Sequence, residues 1–250
     1  MNWSVTYIEE YCSIISTSGA GTYSREVVMW VLNGLKNLRL DPTRDVLGVK
    51  GAVTLVMGTE FPWVECLLLN EGVSQVWTFE YTTINVYYPR MRDKQCQLIA
   101  RDYLVGKFEP VDLVISYSSL EHSGLGRYGD GLNPEGDKEA LAQAWCMLRP
   151  GGLLVLGVPM SCANLGHLNY NAHRVYGFER LAFISENFEL VGFVADECNA
   201  VVSAHDPLLV LRKPFDLSIK AKRLVLKDFS RAVKRSFPSM DNFIDLLSQR

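Results

Sequence analysis

GAVTLVMGTEFPWVECLLLNEGVSQVWTFE, residues 51–80, decides the fold. Ala52 to Met57 is a continuous apolar run that stops at Gly58, the pattern of a strand buried on both faces of a parallel sheet. Pro62 suits the first turn of a helix, where its missing N–H costs nothing. The helix it opens runs from Trp63 to Leu69 and stops near Gly72. Gln75 to Phe79 then reads as a second strand, ending in Glu80. Strand, helix and strand within about thirty residues make one parallel β-α-β unit.

The alternation continues downstream. A weaker strand is expected near Cys96 to Ile99 and a clear one at Val111 to Ser116, followed by a glycine-rich loop and a helix from about Asp137 to Leu148. Pro150-Gly151-Gly152 turns the chain into a strand at Leu153 to Val158. A helix around Tyr176 to Asn187 leads to strands at Leu190 to Ala195 and Leu208 to Leu211. The connection between these last two is too short for a helical crossover, so they are expected to pair antiparallel. Upstream, Tyr7 to Ile15 reads as one helix. Ser24 caps another running to about Leu38, with Val27, Val28, Val31, Leu32 and Leu35 near one face. The expected class is α/β: a doubly wound, mostly parallel seven-stranded sheet. It spans residues 51–212, between an N-terminal helical extension (1–50) and a basic C-terminal helical extension (213–250).

Composition narrows the class of function. Of 250 residues, 48% are apolar and 21% charged, and the net charge of −3 gives no global case for nucleic acid as a partner. No apolar run approaches the length of a bilayer span, and Met1 to Glu10 lacks a signal-peptide pattern. If Met1 is the native start, the expected compartment is the cytoplasm; an anchor trimmed from the N-terminus leaves it open. The six cysteines are scattered, form no CxxC pair and are expected to be reduced core thiols. The segment from Arg212 to Arg235 is rich in Lys and Arg. It reads as a solvated charged face, with packing on the domain, an acidic partner or a membrane surface as the alternatives.

In an open α/β sheet, ligands bind outside the carboxyl ends of the strands, where strand order reverses. This selects Gly58, Thr59 and Glu60 after the first strand, Glu80 and Tyr81 after the second, and Ser118 to Asp130 after the fourth. The segment from Pro159 to His173, after the fifth, completes the set. Gly58 lets backbone approach a ligand. Glu80 lies about 20 residues beyond it, where an acid hydrogen-bonds ribose hydroxyls. There is no GxGxxG, and Glu60 stands where a dinucleotide would bring its pyrophosphate. That acid disfavours a nicotinamide or flavin dinucleotide and suits the ammonium and sulfonium of S-adenosylmethionine.

The segment VDLVISYSSLEHSGLGRYGDGLNPEGD (Val111 to Asp137) is the most specific in the chain. Together with PWVE (Pro62 to Glu65), LRPGGLLVLGVP (Leu148 to Pro159) and NAHRVYG (Asn171 to Gly177), it resembles the domain of unknown function 268 family. That family looks like a branch of the class I S-adenosylmethionine-dependent methyltransferases. The resemblance covers roughly Gly51 to Arg212 and implies a seven-stranded sheet with a reversed final strand and an S-adenosylmethionine site. It supplies no substrate.

Methyl transfer asks the protein to hold donor and acceptor in line, and a hydroxyl acceptor needs a base for its proton. His122 is the expected base, with Glu121 orienting it or binding substrate. Cofactor contacts are expected from Gly58, Thr59, Glu60, Glu80, Tyr81, Ser118 and Ser119. Substrate contacts are expected from Arg127, Tyr128, Asp130, His173 and Arg174. Asp130, Glu135 and Asp137 are read as caps rather than as magnesium ligands. The expected activity is O-methylation of a small polar or sugar-like acceptor. The alternative is an inactive methyltransferase-fold binding or scaffold protein.

Overall fold

The computed structural model describes residues 1–21, 23–95, 109–161, 165–194 and 206–215. Seven strands form one sheet: β2 (Val53–Met57), β3 (Gln75–Glu80), β5 (Met91–Gln95), β6 (Val111–Tyr117), β7 (Leu148–Gly157), β10 (Glu189–Val194) and β11 (Leu208–Arg212). Their order is β10-β11-β7-β6-β2-β3-β5. β11 runs antiparallel to both of its neighbours, and the other pairs are parallel. Two short ladders lie outside the sheet. One joins β1 (Asn2–Trp3) to β4 (Asn85–Val86), the other β8 (His167–Leu168) to β9 (Arg174–Val175).

Alternating side chains send each central strand into two cores. On one face Val56, Leu113, Ile115 and Val155 pack with α1 (Val5–Ser18), α2 (Arg25–Lys36) and α3 (Trp63–Asn70). On the other, Leu55, Val114, Leu154 and Leu156 pack with α4 (Gly136–Met147) and α5 (Phe178–Ile184). Ser4 and Ser24 cap α1 and α2 by accepting from the backbone N–H of Tyr7 and Val27. α3 is buried from Trp63 through Leu69 because the sheet covers one side and α1 the other. Each leucine so buried contributes about 1.5–3 kcal/mol of hydrophobic stabilisation.

Two expectations need revising. Cys12 of α1 and Cys66 of α3 are joined by a disulfide, so these two are not free thiols. The helices cross closely enough to bring the Cα atoms to 4.7 Å. The edge strand is β5, Met91–Gln95; the expected strand at 96–99 lies outside the described residues, as do Cys96, Cys162, Cys198 and the basic segment from 216 onward. The first cations of that segment are buried rather than solvated. Arg212 donates to the carbonyls of Arg39, Leu40 and Gly151, and Lys213 Nζ to those of Trp145 and Leu148. Among the described residues, no helix is long and apolar enough to cross a membrane.

Candidate functional site

Strand order reverses between β2 and β6, and a cavity of about 730 Å³ opens at their carboxyl ends. Its first wall is the turn after β2. Gly58 has φ +77°, a left-handed conformation that L side chains rarely adopt. A Cβ placed there would lie 1.6 Å from Ser119 Oγ, so the turns after β2 and β6 meet only because residue 58 is glycine. Thr59 is held by its hydroxyl, which donates to the Phe61 carbonyl at 2.5 Å, and by its N–H, which donates to Glu80 Oε2 at 2.8 Å. The other Glu80 oxygen accepts from the Tyr81 N–H at 2.7 Å. Glu80 therefore clamps the first turn to the second. A carboxylate has about four lone-pair sites, so both oxygens retain acceptor capacity toward the cavity. Glu60 and Tyr81 line the entrance.

The second wall is the turn after β6. Ser118 sits at φ +49°, its N–H bonded to the Gly157 carbonyl, and a short 3-10 turn, Leu120–His122, follows. His122 Nδ1 lies 2.7 Å from the Ala172 carbonyl oxygen. Only a protonated Nδ1 makes that bond, so the lone pair of the neutral ring is on Nε2. Burial pushes the His122 pKa down, which keeps the imidazole neutral and able to accept a proton. Its ring meets those of Tyr128 and His173 edge-on, with centroids 5.3 and 5.9 Å away. Burial lowers the His173 pKa as well, and Asn169 Nδ2 lies 3.1 Å from His173 Nε2.

Twelve of the fourteen expected site residues line the cavity; Glu121 and Arg174 do not. Glu121 is 1% exposed and lies behind the wall, with Oε1 3.6 Å from His122 Nε2 and Oε2 without a partner. Burial pushes its carboxyl up to about 8, so it is protonated at neutral pH and is not a standing counter-charge to His122. Arg174 is 7% exposed, and its guanidinium donates to the carbonyls of Glu121, Ser123, Asn133 and Pro134. It ties the glycine-rich loop down from behind. Asp130 lines the cavity while capping that loop, its Oδ2 accepting from the Gly124 N–H at 2.6 Å. Asp137 accepts from Tyr176 and Arg180, and Glu135 faces Arg180 at 3.9 Å, so both acids are committed to neighbouring side chains.

The third wall comes from the N-terminal segment, where no ligand contact was expected. Ala20 and Tyr23, between α1 and α2, line the cavity with Trp63 and Tyr117. The Tyr23 ring stands 4.9 Å from Trp63 and 5.7 Å from Tyr117, forming a continuous aromatic face. Burial pushes the Tyr23 phenol up to about 12, and its oxygen is within hydrogen-bonding reach of the Ser118 side chain. The only local signal was the run Gly19-Ala20-Gly21-Thr22-Tyr23 ahead of the Ser24 cap, which marks a turn and nothing more. Ser116 also lines the cavity, and its Oγ is buried without a hydrogen-bond partner.

The fold has solved relatives. A 1,6-didemethyltoxoflavin-N1-methyltransferase from Burkholderia thailandensis, with bound 1,6-didemethyltoxoflavin and S-adenosylhomocysteine, superposes with a TM-score of 0.53. The two are 16% identical, and the alignment covers 84% of this chain and 85% of that one. An O-methyltransferase family protein from the same organism gives a TM-score of 0.51 at 10% identity, over 85% of this chain and 60% of that one. At these identities the likeness shows a shared fold, that of the class I methyltransferases. A search of the curated proteins finds no match to the sequence. The sequence itself carries the closer assignment: over residues 51–229 it matches, and the chain therefore belongs to, the family described as "Caenorhabditis protein of unknown function, DUF268".

Proposed function

We propose that this chain is an S-adenosylmethionine-dependent methyltransferase acting on a hydroxyl of a small polar or sugar-like acceptor. The observation that carries the reading is the cavity at the switch point, with Glu80 on one wall and a neutral imidazole, His122, on the other. The residues suit the cofactor. Glu80 keeps lone pairs for ribose hydroxyls, Gly58 permits close approach of backbone, and Glu60 complements a cationic ligand. The cofactor would supply an activated methyl group. His122 Nε2 would take the acceptor proton, while the Ala172 carbonyl holds the ring in the required tautomer.

A second reading, an inactive relative that keeps the sheet, is favoured by one observation. Both Glu80 oxygens already accept from backbone N–H groups, and only Gly58 remains of a glycine-rich first loop. Titration calorimetry with S-adenosylmethionine and S-adenosylhomocysteine separates the two. The first reading expects binding that weakens markedly in Glu80→Ala. Absence of binding by either compound to the folded wild-type protein would leave the second.

A further inference from the structure

The acceptor side of the cavity mouth has a composition of its own. It is built from the glycine-rich loop and the tip of the β8–β9 hairpin, whose Ala172 and His173 line the cavity. Two tyrosines face water there: Tyr170 at the hairpin tip is 96% exposed and Tyr128 46%. The tip is a defined turn. Asn169 N–H donates to the His173 carbonyl, Ala172 N–H to that of Asn169, and Asn171 sits at φ +51°. Arg127 bridges the two segments, donating to the Asn171 carbonyl at 3.4 Å with its guanidinium 5.6 Å from the Tyr128 ring centroid. Aromatic rings held in water beside a cavity entrance, and interleaved with fixed polar groups, mark a recognition surface rather than a core.

The chemistry of the polar groups narrows the ligand. Asn169 Nδ2 donates to His173 Nε2, which places the His173 proton on Nδ1 and leaves the Asn169 carbonyl oxygen as an acceptor. Neutral amide and imidazole groups that offer both donors and acceptors suit hydroxyls. Arg127 is the one Lys or Arg among the described residues lining this cavity, and Asp130 stands on the same loop, so the rim is not built for a polyanion. Flat rings beside paired donors and acceptors suit a pyranose, whose axial C–H face is apolar and whose edge carries vicinal hydroxyls. The cavity must also hold the cofactor, so an acceptor longer than one sugar has to run out over the rim.

We infer that the acceptor is a neutral oligosaccharide. Its terminal unit enters toward His122, and its next unit stacks on Tyr170 and Tyr128. This rests on the methyltransferase reading and replaces a small acceptor by an extended one. The test uses full-length protein saturated with S-adenosylhomocysteine, applied to a microarray of neutral oligosaccharides and the matching monosaccharides. Retention is expected on a subset of the oligosaccharides. Tyr170→Ala should reduce it by about tenfold, the loss of one ring's apolar contact, and Tyr170→Trp should restore it. Calorimetry should give all three proteins the same affinity for S-adenosylhomocysteine. If the cofactor product binds but no oligosaccharide is retained, or retention ignores Tyr170→Ala, the inference fails and the methyltransferase reading stands. If phosphatidylcholine–phosphatidylserine vesicles are bound instead, and Tyr170→Ala abolishes that, the rim is a lipid-facing surface and the inference is again overturned. If S-adenosylhomocysteine does not bind, the underlying reading is what fails.

Discussion

Gly58→Ala tests the close approach on which the cavity depends. Two costs are separable. The first is backbone: at φ +77° an alanine pays about 1–2 kcal/mol relative to its preferred conformations. The second is steric: the new Cβ would fall 1.6 Å from Ser119 Oγ and 2.5 Å from Ser119 Cβ, so one turn must move, at about 1–3 kcal/mol. The total is about 2–5 kcal/mol, measured as the loss in unfolding free energy from urea titration. Ser119→Gly removes both offending atoms. In that background Gly58→Ala should cost only the backbone part, which gives a coupling energy of about 1–3 kcal/mol in the double-mutant cycle. Affinity for S-adenosylhomocysteine should follow the same cycle if displacement of the turn is what disturbs the site. Equal destabilisation with and without Ser119 would refute the claim that this contact is what demands glycine.

Two further outcomes are expected. Burial raises the carboxyls of Glu65 and Glu121 from 4.5 to about 8, so the native state binds their protons more tightly than the unfolded chain does. Their contribution to stability is present below the unfolded value and is lost as pH rises from about 4.5 through about 8. Glu65→Gln should therefore gain stability relative to wild type as pH rises across this window, and parallel curves for the two proteins would contradict the assignment. The Cys12–Cys66 bond closes a loop with a sequence separation of 54, which restrains the unfolded chain by about 4 kcal/mol. Reduction or Cys12→Ser should lower the unfolding midpoint accordingly, and a non-reducing peptide map should show the two segments linked; two free thiols at these positions in the native protein would exclude the bond.

The sheet was legible where burial is two-sided. Ala52 to Met57 and Val111 to Ser116 are continuous apolar runs because helices cover both faces of their strands. β5 was harder to read. Met91-Arg92-Asp93-Lys94-Gln95 is polar, as edge strands often are. Cavity position was legible from topology, since residues just past the central strands lie at the switch point. Orientation was not. Glu121 and His122 are adjacent, yet one lies behind the wall and the other on it. Arg174 belongs to a two-residue strand, which is too short to carry a periodic pattern, and its side chain faces the loop's carbonyls. Tyr23 reaches the site through the packing of α1 and α2 on α3, and the Cys12–Cys66 pair meets by the same crossing. Neither juxtaposition leaves a spacing in the chain. Trp63 serves as core and cavity wall together, at 5% exposure.

The family match starts at residue 51, but the folding unit does not. Ile8, Ile15, Val28, Val31 and Leu35 are each fully shielded from water against the face that carries α3. A fragment trimmed to the matched span would present that face bare to solvent and remove Tyr23 from the aromatic side of the site. What the family match spans and what must fold together are different lengths of polypeptide in this molecule, and expression of the shorter one should yield an aggregating sheet rather than a minimal domain.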